Sequence, residues 1–323
     1  MVEYKLDFEK PVVDLEQRIK GLKESSSDSL DLADEITRLE AKLESLRSEV
    51  YSKISYWDLI KLARHPKRPH SLDYIEKIVD QFHEISGDRA FGNDQSIITG
   101  FGELGDQKVA IIAIEKGRKT QEKIQRNFGM PNPEGYRKAL RVGKLASRFQ
   151  VPLITIIDTP GAYPGIEAEQ RGQAQAIAQN LEEFFGFNCP IISVIIGEGG
   201  SGGALGIGIG DRVFMQEFSV YSVISPESCA SILWSDATKG EQAAQSLKLG
   251  ANKALELGVI DGIIKEPLGG AHRNFEKAAE NLKSKIQQSL KTLSKLKIEK
   301  LKEQRFQKFR KMGNQTIEEV KSS

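Results

Sequence analysis

Cysteine is nearly absent from this chain. Cys189 and Cys229 are the only two among 323 residues. They are too few for a disulfide framework and cannot form a Cys-x-x-Cys zinc pair, so both read as small buried hydrophobes and no metal site is expected. Charge imbalance is also missing. Lys and Arg number 46 against 45 Asp and Glu, a formal net charge of +1, so global electrostatics gives no sign of a nucleic-acid partner. No apolar run approaches the roughly 20 residues that span a bilayer. The opening Met1-Val2-Glu3-Tyr4-Lys5-Leu6-Asp7 has neither an apolar signal core nor an Arg-rich transit pattern. The expectation is a soluble, cytoplasmic protein without membrane contact. Two nucleotide signatures are lacking as well. No GxxxxGK[ST] loop occurs, and Gly206-Ile207-Gly208-Ile209-Gly210-Asp211 misses the GxGxxG spacing.

Glycine, by contrast, is plentiful at 29 residues, and it is densest in Gly197-Glu198-Gly199-Gly200-Ser201-Gly202-Gly203-Ala204-Leu205-Gly206-Ile207-Gly208. This stretch follows Pro190-Ile191-Ile192-Ser193-Val194-Ile195-Ile196, an apolar, β-branched run of strand length. A strand, a glycine turn and a helix beginning near Gly203 would aim several backbone N–H groups at one point, where a phosphate or a developing oxyanion could sit. A second turn of this kind is Asp158-Thr159-Pro160-Gly161-Ala162-Tyr163-Pro164-Gly165, after the strand pattern of residues 151–158. Pro160 has no N–H, so Gly161 and Ala162 supply the first donors. If neighbouring strands bring the turns together, donors from both converge.

Around these turns the chain alternates strands and helices. Residues 97–102 and 108–114 read as strands joined at Leu104-Gly105-Asp106, and residues 133–148 and 169–185 as helices. Strands follow at 212–215 and 219–224. Ahead of them, Leu15, Ile19 and Leu22 mark a short helix. The run Ser25-Ser26-Ser27-Asp28-Ser29 offers a break and an N-cap, and Leu32, Ile36, Leu39, Leu43, Leu46 and Val50 form a heptad seam. Arg64-His65-Pro66-Lys67-Arg68-Pro69-His70 is a basic loop suited to a structural role or to an anion or subunit contact, and Ser71 could cap a helix to Phe82. From Ala271 onward one long amphipathic helix or two carry Leu282, Ile286, Leu290, Leu293 and Leu296 on one face. Residues 273–323 hold 14 Lys or Arg against 6 Asp or Glu. Nucleic-acid contact by this tail is less expected than a solvated helix bordering a subunit interface.

Three constellations can carry chemistry. The turns are the first, with Tyr163 placed to shape a pocket wall. The second is Lys116, Arg118, Lys119, Lys123 and Arg126, which could hold phosphates or a carboxylate. The third is a rival: Gly199-Gly200-Ser201-Gly202-Gly203 fits the GxSxG nucleophile elbow of serine hydrolases, with His272 the one histidine after Ser201.

Taken together, these stretches closely resemble the alpha subunits of bacterial acetyl-CoA carboxylase carboxyltransferase. The matching segments include Arg64-His65-Pro66, Gly87-Asp88-Arg89-Ala90-Phe91-Gly92, Lys116-Gly117-Arg118, Arg126-Asn127-Phe128-Gly129-Met130-Pro131, both glycine turns, Ser222-Val223-Ile224-Ser225-Pro226-Glu227 and Glu266-Pro267-Leu268-Gly269-Gly270-Ala271-His272. The likeness spans roughly residues 10–315. Gly206, where many relatives look to have Ala, is a mild departure.

The resemblance implies an α/β, crotonase-type spiral of ββα units, with an N-terminal helical hairpin and a long C-terminal helix. The divisions would be 1–84 for the hairpin and its connection, 85–270 for the carboxyltransferase core and 271–323 for the basic tail. It implies carboxyl transfer from carboxybiotin, borne on a separate biotin carboxyl carrier protein, to acetyl-CoA. The product is malonyl-CoA, the first committed step of fatty-acid synthesis. Implied partners are a beta subunit bearing a zinc ribbon, in an α2β2 carboxyltransferase, and biotin carboxylase within a larger ATP-dependent complex. The catalytic donors would be Gly202, Gly203 and Ala204 with Gly161 and Ala162. Gly199, Gly200, Ser201, Tyr163, Lys116 and Arg118 would contact the cofactor, and this chain would hold no metal. No protein general base is needed if the freed biotin itself takes a proton from the acetyl methyl. A subunit of another biotin-dependent acyl-CoA carboxylase or decarboxylase is the neighbouring alternative.

Overall fold

Alternation of apolar side chains along the strands settles the layers of the fold. In this computed structural model, which describes residues 6–25 and 30–313, eight strands form one sheet. They are β1 (Asp80–Glu84), β2 (Ile97–Leu104), β3 (Gln107–Ile114), β4 (Leu153–Thr159), β5 (Ile191–Gly200), β6 (Arg212–Gln216), β7 (Val220–Ser222) and β8 (Gly262–Ile264). Their order is β1-β2-β3-β4-β5-β6-β8, with β7 paired to the far end of β5. The β1, β2 and β3 pairings are antiparallel; those from β3 onward are parallel. Successive side chains of a strand face opposite sides. Accordingly Ala110, Ile112 and Ile114 of β3, with Leu153, Ile157 and Ile195, join one core beneath helices Pro133–Phe149 and Gln173–Gly186. Val109, Ile111 and Ala113, with Ile154, Ile192 and Val194, join the other, beneath Ser71–Ile78 and Phe275–Leu293. Burial of β4 on both faces explains why apolar residues stand at successive positions, Leu153-Ile154 and Ile156-Ile157, rather than at alternate ones.

Helices Lys10–Ser25 and Leu30–Ser52 pack their seam residues on each other, with Val12, Ile19 and Leu43 buried between them. Residues 26–29, from the stretch expected to break and cap this hairpin, lie outside the described residues.

Two expectations change. The helix from Ser71 stops at Ile78 instead of reaching Phe82, because residues 80–84 pair with β2 as an edge strand. Gly100 admits that strand: a Cβ there would stand 2.3 Å from His83 O and 2.6 Å from the Phe82 ring. The helix expected over 169–185 is two, Ile166–Gln170 and Gln173–Gly186, divided at Gly172 with φ +82. The stretch after β3 contains a short helix, Thr120–Gln125. Of the two readings of the C-terminal stretch, one long helix or two, the structure has two, Phe275–Leu293 and Ile298–Lys311.

The second of these C-terminal helices is fastened to the sheet by a buried charge. The Arg305 guanidinium donates to both carboxylate oxygens of Asp211, at 2.9 and 2.8 Å, and to the carbonyls of Phe184, Phe187 and Cys189. Removing one member of a buried, fully hydrogen-bonded pair leaves the other charge without compensation. Arg305→Ala should therefore lower unfolding stability by about 3–5 kcal/mol, measured by urea denaturation; a loss comparable to that of an exposed lysine would contradict this anchoring.

Candidate active site

Strands β4 and β5 run parallel, and after a register shift beyond Ile157 Thr159 stands opposite Gly199, so the two glycine turns leave the sheet side by side. They touch through backbone. A Cβ on Gly200 would lie 2.1 Å from Pro160 O, and one on Gly203 would lie 2.4 Å from Gly161 C and 2.6 Å from Ala162 N. No side chain fits there, which is why glycine occupies both positions. Gly206 meets the same demand one turn later, where a Cβ would be 2.6 Å from the Tyr136 ring.

Residues Ser201–Leu205 form a helix of five residues, which begins two residues ahead of the expected start near Gly203. Its leading N–H groups, through Ala204, have no acceptor one turn earlier within the helix. In the first turn, Gly161 N–H donates to Thr159 Oγ1 at 3.0 Å, whereas Ala162 N–H makes no hydrogen bond among the described residues. Ala162 is thus the donor that this turn leaves available.

Beside the turns sits a compact charge cluster. Lys116 Nζ lies 2.8 Å from Asp158 Oδ1 and 2.6 Å from Glu198 Oε2. Arg64 Nε holds the other oxygen of Glu198 at 2.6 Å, and its Nη1 reaches Glu227 at 2.6 Å. Burial alone would raise the Glu198 pKa, but Lys116 and Arg64 outweigh it and hold it down at about 2. Burial would likewise lower the Lys116 pKa, yet Asp158 and Glu198 carry it above the usual lysine range. Both stay charged at neutral pH. A cleft of about 270 Å³ opens over this cluster, lined among others by Arg64, Arg118, Lys123, Phe128 and Pro160. A smaller one of about 30 Å³, lined by Thr159, Gly199, Gly200 and Ser222, shares Arg64, Pro160 and Glu198 with it.

Not every residue singled out in the sequence faces these clefts. Lys116 lines the larger one, but two carboxylates already neutralise it. Arg118, half exposed at its rim, pairs with Asp73. Tyr163 folds over Gly165, whose Cβ would be 2.3 Å from its ring, and it lines neither cleft. Ser201 is exposed with φ +46, a conformation found at nucleophile elbows, but no hydrogen bond joins it to a histidine among the described residues. His272 is instead half-buried and stacked on His65, ring centroids 4.1 Å apart. The basic loop 64–70 is largely structural: Arg68 is buried in a two-point pair with Glu266 and donates to Ile196 O at 2.7 Å. Asp158, Glu198, Arg64 and Glu227 were not identified as site residues. The signal for Asp158 and Glu198 was present, since each lies near the end of a buried strand just ahead of a glycine turn. Among the described residues no three His, Cys, Asp or Glu side chains group as a metal would need, and no helix is long and apolar enough to cross a membrane.

Residues 5–313 match the family described as acetyl co-enzyme A carboxylase carboxyltransferase-like. The chain is 55% identical over 311 residues to the acetyl-coenzyme A carboxylase carboxyl transferase subunit alpha of Geobacter metallireducens, covering 96% of this chain and 98% of the relative. To the protein of the same description from Haemophilus influenzae it is 52% identical over 308 residues, 95% and 98% of the two chains. Among solved structures, transcarboxylase 12S with methylmalonyl-coenzyme A and methylmalonic acid bound aligns with TM-score 0.54 at 21% identity, over 68% of this chain and 43% of that one. The beta subunit of Pseudomonas aeruginosa geranyl-CoA carboxylase aligns with TM-score 0.52 at 16% identity, over 71% and 44%. These structural likenesses establish a shared crotonase-type fold.

The Glu198 carboxyl has a depressed pKa in the folded state, so the stabilisation it contributes is present above its unfolded value of 4.5 and is lost as pH falls toward about 2. The stability difference between the native chain and Glu198→Gln should hold steady above pH 5 and close between those two values. Urea midpoints across pH will test this, and a gap that widens on acidification would refute the ion-pair account.

Proposed function

Because the chain belongs to the family of acetyl-CoA carboxylase carboxyltransferase alpha subunits, we propose that its adjoining glycine turns hold the ureido oxygen of carboxybiotin while a carboxyl group passes to acetyl-CoA. The protein is a carboxyltransferase of malonyl-CoA formation. One observation carries the placement: the backbones of the two turns are in contact at the ends of neighbouring parallel strands, at positions where a Cβ has no room.

The residues present suit such a group. An oxygen gaining negative charge needs N–H donors that are fixed beforehand and shielded from water. Gly202, Gly203 and Ala204 offer the leading N–H groups of the short helix, and Ala162 offers one from the facing turn. Gly161 shapes the turn while its own N–H is engaged by Thr159. Gly199, Gly200 and Ser201 bring the chain to the donors. Arg118 and Lys123, on the rim of the larger cleft, meet the approaching carboxylate or a coenzyme A phosphate. When bound, carboxybiotin supplies the carboxyl group and afterwards accepts the proton released by the acetyl methyl. The chain therefore needs no general base, and its catalytic contribution is preorganised charge stabilisation.

Only the biotin half of the reaction is assigned to this chain. A beta partner would bind the acetyl-CoA half and decide which acyl group is accepted, and a separate carrier protein charged by biotin carboxylase would deliver the carboxyl.

Gly203→Val should abolish malonyl-CoA formation, and Gly203→Ala should reduce it on the order of 10²-fold, with assembly onto the beta subunit retained. Near-normal turnover in an assembled variant would overturn the placement. The purified chain alone should show almost no carboxyltransferase activity until the beta subunit is added, and robust activity of the lone chain would contradict the division of labour.

A further inference from the structure

Asp158 and Glu198 occupy matched places. Each is close to the end of a buried strand, on neighbours β4 and β5, just ahead of a glycine turn. They are also joined directly: Glu198 N–H donates to Asp158 Oδ1 at 2.9 Å. Gly197 leaves space for this contact, since a Cβ there would stand 2.4 Å from the same oxygen. Two carboxylates so close at the ends of parallel strands repel each other unless a cation lies between them. The Lys116 ammonium is that cation, with one carboxylate 2.8 Å away and the other 2.6 Å. The backbone is shaped to let it in, because a Cβ on Gly129, at φ +78, would be 2.6 Å from Lys116 Cγ.

We propose that Lys116 is a positioning residue for carboxyl transfer: by bridging Asp158 and Glu198 it fixes the spacing of the two glycine turns, and with it the alignment of the donors they present. This rests on the assignment of the turns to the ureido oxygen. It gives Lys116 a task other than binding the anionic ligand, for which its charge is already spent on two carboxylates. The turns tolerate no displacement, because they meet at backbone distance through Gly200 and Gly203. Arg64 holds Glu198 from the opposite side and ties it to Glu227 on helix Pro226–Trp234, but among the described residues it makes no hydrogen bond or ion pair with Asp158 and cannot bridge the strands.

The cluster makes a distinctive prediction about pH. The charged groups facing Glu198 are Lys116, Asp158 and Arg64, with Glu227 beyond Arg64 and Arg68 beyond Asp158. In the native chain Lys116 stays protonated and Glu198 ionised throughout the neutral range. In Lys116→Met, burial and the facing carboxylate both favour protonation of Glu198, with Arg64 alone left to oppose it. A proton shared between the two can then replace the ammonium and draw the strand ends back together.

The test uses the chain assembled with its beta subunit, with malonyl-CoA formation from N-carboxybiotin and acetyl-CoA followed between pH 5.5 and 8. Lys116→Met should lose kcat on the order of 10²-fold at pH 8, with KM for acetyl-CoA unchanged, and the ratio of native to variant kcat should shrink as pH falls. Glu198→Gln removes a carboxylate instead of the cation. It should lose kcat more mildly and without that pH dependence, and it supplies the test if the lysine variant does not assemble. Native-like kcat in either assembled variant, a loss confined to KM, or a Lys116→Met ratio that is the same at every pH would overturn the proposal. If Gly203→Val is inactive while Lys116→Met is fully active, only the role of Lys116 fails. If Gly203→Val is fully active, the assignment of the turns fails first.

Discussion

The site depends on a steric constraint: two loops of backbone pass so close that no side chain fits between them. Gly200 against Pro160, and Gly203 against Gly161 and Ala162, would each place a Cβ within 2.4 Å of a backbone atom of the other turn. Such an approach is affordable only to glycine, and it brings the amides of one turn beside those of the other. The sheet makes the approach inevitable, since β4 and β5 are parallel neighbours and their turns emerge at the same edge. Ligand sites of open α/β sheets gather at these carboxyl ends for the same reason.

Close approach of strand ends carries a cost in electrostatics, because the residues before both turns are acids. Lys116 and Arg64 offset that cost, and the network extends through Glu227 into the helix that follows β7. The same device appears at the other end of the sheet, where Arg305 holds Asp211 and four carbonyls and so binds the C-terminal helix to the body of the chain. Arg68, buried against Glu266 and the Ile196 carbonyl, does so beneath the cleft. A chain whose net charge is close to zero thus relies on a few deeply placed charges, each with several partners.

Much of this was legible in the sequence. The strands of residues 97–114, 151–158 and 190–196 announced themselves by β-branched apolar runs, and the two glycine turns by their position after such runs. Boundaries were less legible where local and nonlocal preferences compete. Residues 80–84 could have continued the helix from Ser71, and only pairing with β2 makes them a strand. Gly172 could have sat inside a helix and instead divides it at a positive φ. In the site, the spacing of glycines was readable but the partners of the charges were not. Lys116 read as a ligand for an anion because its two carboxylates lie 42 and 82 positions further along the chain.

The sequence by itself determined the kinds of element, the glycine turns and, through the resemblance of its long ordered motifs, the family. These are properties of neighbouring residues, and local propensity with hydrophobic period encodes them directly. Only the tertiary structure decided that the turns touch and that Lys116 bridges two acids. Those facts depend on which strands become neighbours and at what register, and such long-range pairing is fixed by the packing of the whole sheet.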